Sequence, residues 1–189
     1  KGVRIMKELW VRAEPWNKEL VTTALEGGAD AVIVPPEYVE KTKALGVIPT
    51  VAATGDIRWE EDVVVVEVAS SEDEDRIVRL SRDKRVLVRT TDWNVIPLEN
   101  LVARAGNIFV EAADLDEAKT ASTVLEKGVD GLVITSPDPI RVREILTQMR
   151  SEQYEMPLVP LEVQAVHPTG MGHRICVDTC TLMQEGEGL

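Results

Sequence analysis

A chain of 189 residues is long enough to bury a substantial core, and a composition of 44% hydrophobic and 29% charged residues is typical of a globular protein. The formal net charge is −12, from 33 acidic and 21 basic residues, and so acidic a surface repels phosphate backbones, which argues against nucleic acid as a partner. No apolar run approaches the roughly 20 residues of a membrane-spanning helix, and the first residues do not resemble a signal peptide, so we expect no membrane contact.

In chain order, short runs of aliphatic and β-branched residues alternate with amphipathic stretches. The predicted strands are Leu9–Arg12, Ala31–Val34, Ile48–Ala52, Val63–Glu67, Val86–Arg89, Ile108–Glu111, Gly131–Thr135 and Leu158–Val163. The predicted helices are 18–26 after an Asn17 cap, Tyr38–Leu45, Glu72–Arg82 after a Ser71 cap, Leu98–Ala105, Leu115–Lys127 and Pro139–Arg150. A loop, and not a full helix, is expected between the third and fourth strands.

Most of these strands are continuous apolar runs without strict alternation, which is typical of parallel strands covered on both faces. Eight strands interleaved with helices predict a compact (β/α)8-like parallel barrel over residues 6–163, with an open doubly wound sheet as the alternative. The segment 24–34 is echoed by 124–134, and in each copy a glycine, Gly28 or Gly128, suits the left-handed conformation after a helix.

The last part of the chain has a different pattern. Val163–Val166 and Arg174–Cys180 are two further strand candidates around a turn-rich connector, so residues 164–189 are expected to begin a β-rich region that is truncated at Leu189. The connector contains Gly170-Met171-Gly172, but no helix follows it that could hold a pyrophosphate.

Four predicted strands end with an apolar triplet followed by a charge, and the charged residues are Arg12, Glu67, Arg89 and Glu111. In a parallel barrel the carboxyl ends of the strands surround one opening, here called the mouth, where functional groups gather. Two arginines there could bind a polyhydroxy or carbonyl substrate, and Glu67 and Glu111 could transfer protons. The alternative is a ring of structural ion pairs.

A polar loop follows the strand that ends at Arg89. It contains Thr91, Asp92 and Trp93 before the helix near Pro97, and so many hydrogen-bonding groups at a strand end predict a site. The alternative is a well-capped structural turn in which Asp92 is a local acceptor.

The two cysteines, Cys176 and Cys180, favour a reducing compartment, and the cytoplasm is expected. Zinc ligands are usually closer within a pair and need a second pair, so the sequence favours buried thiols and predicts no metal site. His167 and His173 flank the glycine turn and are more typical of exposed loop residues. Taken alone, the residues predict a barrel with a charged mouth and a small-molecule substrate, but no particular reaction.

Three segments resemble the archaeal-type (type II) 3-dehydroquinate synthases, and the likeness runs in order from Met6 to Leu189. They are Met6–Ala13, the stretch Arg89–Trp93 continuing to Ile96–Leu101, and Pro168–Gly172 continuing to Arg174–Cys180. His173 departs from the family, in which an acidic residue is expected.

The resemblance implies an NAD-dependent enzyme of the shikimate pathway of aromatic amino-acid biosynthesis, and no zinc. The implied reaction is oxidative deamination and cyclisation of 2-amino-3,7-dideoxy-D-threo-hept-6-ulosonate to 3-dehydroquinate. On this basis Glu67, Glu111 or Asp92 would be the catalytic bases, and Arg12, Arg89, Thr91 and Trp93 would bind the substrate. The residues that bind NAD are not indicated. The alternatives are a barrel lyase or aldolase with a Schiff-base lysine, and a non-catalytic binding or assembly fragment.

Overall fold

The computed structural model describes residues 7–89 and 98–153, together with residues 162, 164–168, 170 and 172. The strands are β1 (Glu8–Arg12), β2 (Ala31–Ile33), β3 (Thr50–Ala52), β4 (Ile57–Arg58), β5 (Val63–Glu67), β6 (Arg85–Arg89), β7 (Ile108–Ala112) and β8 (Gly131–Ile134). The helices are α1 (Lys18–Glu26), α2 (Val39–Lys43), α3 (Ser71–Leu80), α4 (Leu98–Arg104), α5 (Leu115–Thr123) and α6 (Pro139–Gln153), and a 3-10 turn (Pro36–Tyr38) precedes α2.

The eight strands form one parallel sheet in the order β4-β3-β2-β1-β8-β7-β6-β5. The two strands at the ends of this order, β4 and β5, are connected by a bridge between Trp59 and Val63. The sheet is therefore a nearly closed barrel surrounded by helices, which confirms the predicted (β/α)8-like fold against the open sheet.

One of the eight strands, β4 (Ile57–Arg58), was not predicted from the sequence. The strand predicted over Leu158–Val163 lies outside the described residues except at Glu162. A two-residue strand is too short to show a hydrophobic period. Since β4 follows β3 after only a tight turn, it also lacks the preceding helix of a βα unit.

Several helix boundaries also differ from prediction, and two of them have a clear local cause. Ser70, and not Ser71, caps α3, because its hydroxyl accepts from the N–H of Asp73 while the Asp73 carboxylate accepts from the N–H of Ser70. Helix α5 ends at Thr123 because Leu125 and Glu126 adopt positive φ angles of 51° and 62°. The predicted positive φ of Gly28 and Gly128 is confirmed, at 70° and 66°.

The chain divides into two compact units, residues 1–155 and 156–189. In the second unit the described residues are exposed and have no regular secondary structure. The strand predicted over Val163–Val166 is therefore not formed at residues 164–166, and Arg174–Cys180 with both cysteines lies outside the described residues. None of the helices that the structure describes is long and apolar enough to span a membrane.

Large apolar side chains fill the inside of the barrel. Trp10 and Phe109 are almost completely buried, with ring centroids 4.6 Å apart. Gly131 lies opposite the Phe109 ring, in register with that residue, and a Cβ at Gly131 would overlap the ring. Leu9 and Val11 belong instead to the cluster under the helices. The alternation along β1 therefore puts Trp10 and Arg12 on the inner face of the sheet.

Aspartates at the opposite end of the barrel connect neighbouring strands. Asp30 accepts from the N–H of Leu9 at 2.7 Å, and Asp130 accepts from the N–H of Ile108 at 3.1 Å. These two aspartates occupy the same position in the echoed segments, so the echo marks a repeated hydrogen bond between adjacent strands. Asp56 likewise accepts from the N–H of Thr50 in β3, and hydrogen bonds from Lys43 and Thr50 lower the pKa of Asp56 to about 2.

Candidate active site

The four charged residues predicted for the mouth lie at the carboxyl ends of β1, β5, β6 and β7. Arg12, Glu67 and Arg89 are the last residues of their strands, and Glu111 is the last but one of β7. The alternation of side chains assigns all four to the inner face, since Trp10, Val65, Leu87 and Phe109 lie two positions earlier and belong to the inner cluster or pack against it. The structure brings three of the four into direct contact.

Glu111 is the centre of this contact. Its Oε1 atom lies 2.6 Å from Nη1 of Arg12 and 2.7 Å from Nη2 of Arg89, and it also accepts from Nε of Arg89 at 3.1 Å. The Arg12–Glu111 pair spans two non-adjacent strands, because β8 lies between β1 and β7. One carboxylate oxygen therefore fixes two guanidinium groups whose charges would otherwise repel each other.

The environment of Glu111 keeps it ionised. Burial by itself would raise the pKa of Glu111, but the hydrogen bond from Arg89 and the charges of Arg12 and Arg89 outweigh burial and hold it below the usual 4.5. A carboxylate with a lowered pKa is a weak proton acceptor near neutral pH. Glu111 is thus better suited to positioning the arginines than to general-base chemistry.

Glu67 differs from Glu111 in its surroundings. It is exposed, and it is in register with Arg89 across the β5–β6 pair. Within the described part of the chain it makes no ion pair, so its carboxylate is available at the mouth. The other predicted site residues, Thr91, Asp92 and Trp93, lie outside the described residues.

A cavity of about 410 Å³ opens beside Arg12, between the loop that follows β1 and the loop that follows β8. Among its lining residues are Arg12, Glu14, Trp16, Lys18, Thr135 and Pro137. These loops are neighbours because β1 and β8 pair directly. The cavity therefore lies at the mouth, where barrel chemistry is found.

Arg12 presents an unsatisfied donor in this region. Its Nε atom is buried and has no hydrogen-bond partner in the part of the chain that the structure describes. Oε2 of Glu14 lies 4.0 Å from this Nε atom, too far for a hydrogen bond. Buried N–H groups normally have an acceptor, so Arg12 is the residue at which the described part of the site is left incomplete.

Glu14, Lys18 and Thr135 were not predicted as site residues. Thr135 follows an apolar triplet, Leu132–Ile134, but carries no charge, and Glu14 and Lys18 flank the Asn17 cap, where no strand pattern extends. Their one available signal was position, since they follow or flank strands that become adjacent once the barrel closes.

Trp16, which lines the cavity, belongs to an aromatic cluster. Trp16 stacks on Tyr38 with ring centroids 5.0 Å apart and planes inclined by 10°, and Nζ of Lys41 lies 4.0 Å from the Trp16 ring centroid. The indole N–H donates to the hydroxyl of Thr42 at 3.2 Å. These contacts fix the β1–α1 loop that carries Glu14.

The described residues do not form a recognisable dinucleotide site. Glycines that let a backbone approach a pyrophosphate are needed where a strand leads into a helix. No such turn in ranges 7–89 and 98–153 contains a glycine.

Comparisons with known proteins agree with the resemblance seen in the sequence. The family model described as the 3-dehydroquinate synthase II N-terminal domain matches residues 6–149, and the model of its C-terminal domain matches residues 160–189. A 3-dehydroquinate synthase of Methanoculleus marisnigri is 45% identical over 97% of this chain and 56% of its own length. A homolog from Aquifex aeolicus is 40% identical over the same shares.

The chain thus spans little more than half the length of these relatives. Among solved structures, phosphoribosyl anthranilate isomerase, crystallised in complex with reduced 1-(o-carboxyphenylamino)-1-deoxyribulose 5-phosphate, superposes with a TM-score of 0.61 over 77% of this chain and 100% of its own. At 14% identity this likeness concerns the barrel fold alone.

Proposed function

The chain belongs to the 3-dehydroquinate synthase II family, and from this premise we propose that it forms the barrel of an NAD-dependent 3-dehydroquinate synthase. The proposed substrate is 2-amino-3,7-dideoxy-D-threo-hept-6-ulosonate. Carbon 2 would lose a hydride to NAD⁺, water would hydrolyse the resulting imine and release ammonia, and the 2-oxo product would enolise and close by an intramolecular aldol reaction.

The observation that carries this proposal is the cluster of Arg12, Glu111 and Arg89 at the mouth. Two guanidinium groups and one carboxylate leave one net positive charge, which suits a substrate that bears a carboxylate and a ketone. Because Glu111 fixes both arginines before the substrate arrives, little reorganisation is needed to bind that anion or to polarise a carbonyl.

We assign proton transfer to Glu67 in preference to Glu111. Glu67 is exposed and faces the same opening, whereas Glu111 is engaged by both arginines and has a lowered pKa. Enolisation needs a base that can accept a proton from carbon, and the less strongly paired carboxylate is the better acceptor. Asp92 is retained as a second candidate base, with Thr91 and Trp93 as further substrate ligands.

NAD⁺, when bound, would supply the hydride acceptor, and family membership is what supports its involvement. Because the described residues do not provide a glycine-rich cradle for a pyrophosphate, no residue is assigned to its binding.

A Schiff-base lyase is less well supported. Lys7 directly precedes β1 at the end opposite the mouth, and its Nζ donates to the carbonyls of Lys127 and Val129 at 2.8 and 2.7 Å. A Schiff-base lysine needs a reactive, deprotonated amine next to the substrate. Lys7 is instead engaged in backbone contacts far from the charged cluster.

The assay follows NADH absorbance and 3-dehydroquinate formation after the substrate and NAD⁺ are mixed with the protein. The Methanoculleus marisnigri relative is the positive control, and a hybrid in which residues 6–189 replace its matching segment tests the barrel at full length. We expect equimolar NADH and 3-dehydroquinate, with kcat lowered about 100-fold and KM little changed in Glu67→Gln. A folded hybrid that yields neither product would reject the proposal.

A further inference from the structure

We propose that the cavity beside Arg12 binds the α-amino acid end of the substrate, with the carboxylate on the guanidinium group of Arg12 and the ammonium group on the carboxylate of Glu14. This inference rests on the proposed function, because it assigns one end of that substrate to a particular part of the site. It assigns binding of the amino acid end to the cavity and leaves the rest of the substrate to the neighbouring Arg89–Glu111 pair.

The first support is the pairing of opposite charges on one cavity wall. Nε of Arg12 and Oε2 of Glu14 are 4.0 Å apart, too far for a hydrogen bond, so neither group satisfies the other. In an α-amino acid the carboxylate and the ammonium group are attached to the same carbon, so a cation and an anion this close match both groups at once.

The second support is the state of Arg12 itself. Its Nη1 is held by Glu111 at 2.6 Å, which fixes the guanidinium plane, while its buried Nε has no acceptor among the described residues. A guanidinium group fixed in this way is preorganised for a charge-assisted hydrogen bond to a ligand carboxylate. Lys18, also on the cavity wall, adds a second positive charge for the same group.

The third support is size. A volume of about 410 Å³ falls in the range of pockets that enclose small polar ligands, and it suits a seven-carbon acid better than a dinucleotide. Thr135 supplies a hydroxyl on the β8 side, where the polyol part of the chain would pass. The rest of the substrate would extend from here toward the Arg89–Glu111 pair.

This arrangement also distinguishes the amino substrate from the intermediate formed from it. Once carbon 2 has become a ketone, the ligand no longer carries an ammonium group, and Glu14 loses its partner. The cavity therefore recognises the amino substrate more strongly than the deaminated intermediate, which is then held by its carboxylate alone.

The test is calorimetric titration of the chain, without NAD⁺, with two ligands: the 2-amino substrate and a matched analogue that lacks the amino group. In Glu14→Gln we expect binding of the amino ligand to weaken about tenfold, while binding of the analogue changes less than twofold. Arg12→Lys keeps a charge for Glu111 but has no donor at the Nε position, so it should weaken both ligands about equally. Glu19→Gln, on an exposed first-turn acid of α1 that does not line the cavity, is the control.

Equal weakening of both ligands by Glu14→Gln, or no effect of Glu14→Gln and Arg12→Lys, would overturn the proposal, as would failure of the chain to bind either ligand. Because the titration contains no NAD⁺ and measures no turnover, it is independent of the synthase assay. An amino-selective site in a protein without synthase activity would reject the proposed function alone.

Discussion

Glu111 combines a structural and a functional requirement in one side chain. Without its Oε1 atom, the guanidinium groups of Arg12 and Arg89 would face each other across the mouth with no anion between them. The carboxylate is also partly buried, so its loss cannot be fully compensated by solvent.

We therefore expect Glu111→Gln to lower the free energy of unfolding by about 1–2 kcal/mol at pH 7, less than for a fully buried pair because the site remains partly solvated. Since the folded state lowers the pKa of Glu111, its contribution is present above the unfolded pKa near 4.5 and is lost as pH falls through the folded pKa. Urea unfolding of both proteins at pH 7, 5 and 3 measures the difference in their free energies of unfolding.

The difference between the two proteins should shrink as the pH falls from 5 toward 3. Glu144→Gln, on an exposed position of α6, is the control and should stay within 0.5 kcal/mol of the original protein, as is typical of surface substitutions. A Glu111→Gln protein as stable as this control at pH 7 would show that the cluster contributes nothing to the fold.

The sequence could identify these charged residues but not their partners. An apolar strand followed by a charge places Arg12, Glu67, Arg89 and Glu111 at one edge of a parallel sheet, whatever the details of packing. The carboxylate that pairs with both arginines is determined by strand order, because a side chain on β1 contacts one on β7 across the intervening strand β8. Glu14 could not be predicted, since its loop has no periodic hydrophobic pattern and its proposed role depends on Nε of Arg12, 4.0 Å from its carboxylate.

Among the elements, β5 to β8 repeat with a constant spacing. Val66, Val88, Val110 and Leu132 are in register across the four strands and are 22 residues apart in sequence. The same spacing relates Phe109 to Gly131, where the large ring on β7 occupies the space that a side chain on β8 would need.

Gly131→Ala should therefore destabilise the barrel by about 1–3 kcal/mol, because the added methyl group overlaps the Phe109 ring in a closely packed interior. Gly106→Ala is the matched control, since a Cβ there has no neighbour within 4 Å and the residue has no positive φ. Thermal unfolding followed by circular dichroism measures both.

The double variant Gly131→Ala with Phe109→Leu provides a second check. If overlap is the cause, shortening the ring should restore part of the lost stability, so the two changes should not be additive. If the losses of stability from the two substitutions were additive, overlap with Phe109 would not be the reason that position 131 requires glycine.

The elements predicted best are those with long apolar runs, such as β5 and β6, whose boundaries agree with the structure to within one residue. The prediction failed at β4, which has two residues, and at the end of α5, where Leu125 and Glu126 enter the left-handed region without a glycine at either position. In both cases tertiary contacts decide the conformation, and local sequence carries little signal.

Across the whole barrel, the strands are unequally paired. The β5–β6 ladder runs from Val63 to Glu67, and β1 pairs on both sides with β2 and β8. In contrast, β4 pairs with β3 only at Ile57 and Arg58, and closure to β5 depends on the bridge between Trp59 and Val63. The β4–β5 junction is thus the least supported part of a nearly continuous ring.

This inequality predicts an order of local opening that native-state hydrogen exchange can measure. The amides of Ile57 and Arg58 should exchange at least about 100-fold faster than those of Leu87 and Val110, because short ladders near exposed turns open without global unfolding, whereas buried central strands exchange mainly through it. Denaturant should accelerate exchange at Leu87 and Val110 strongly and at β4 only weakly. If the amides of β4 were protected from exchange to the same degree as those of the central strands, the barrel would open as one unit. The Trp59–Val63 bridge would then close the barrel more firmly than its length suggests.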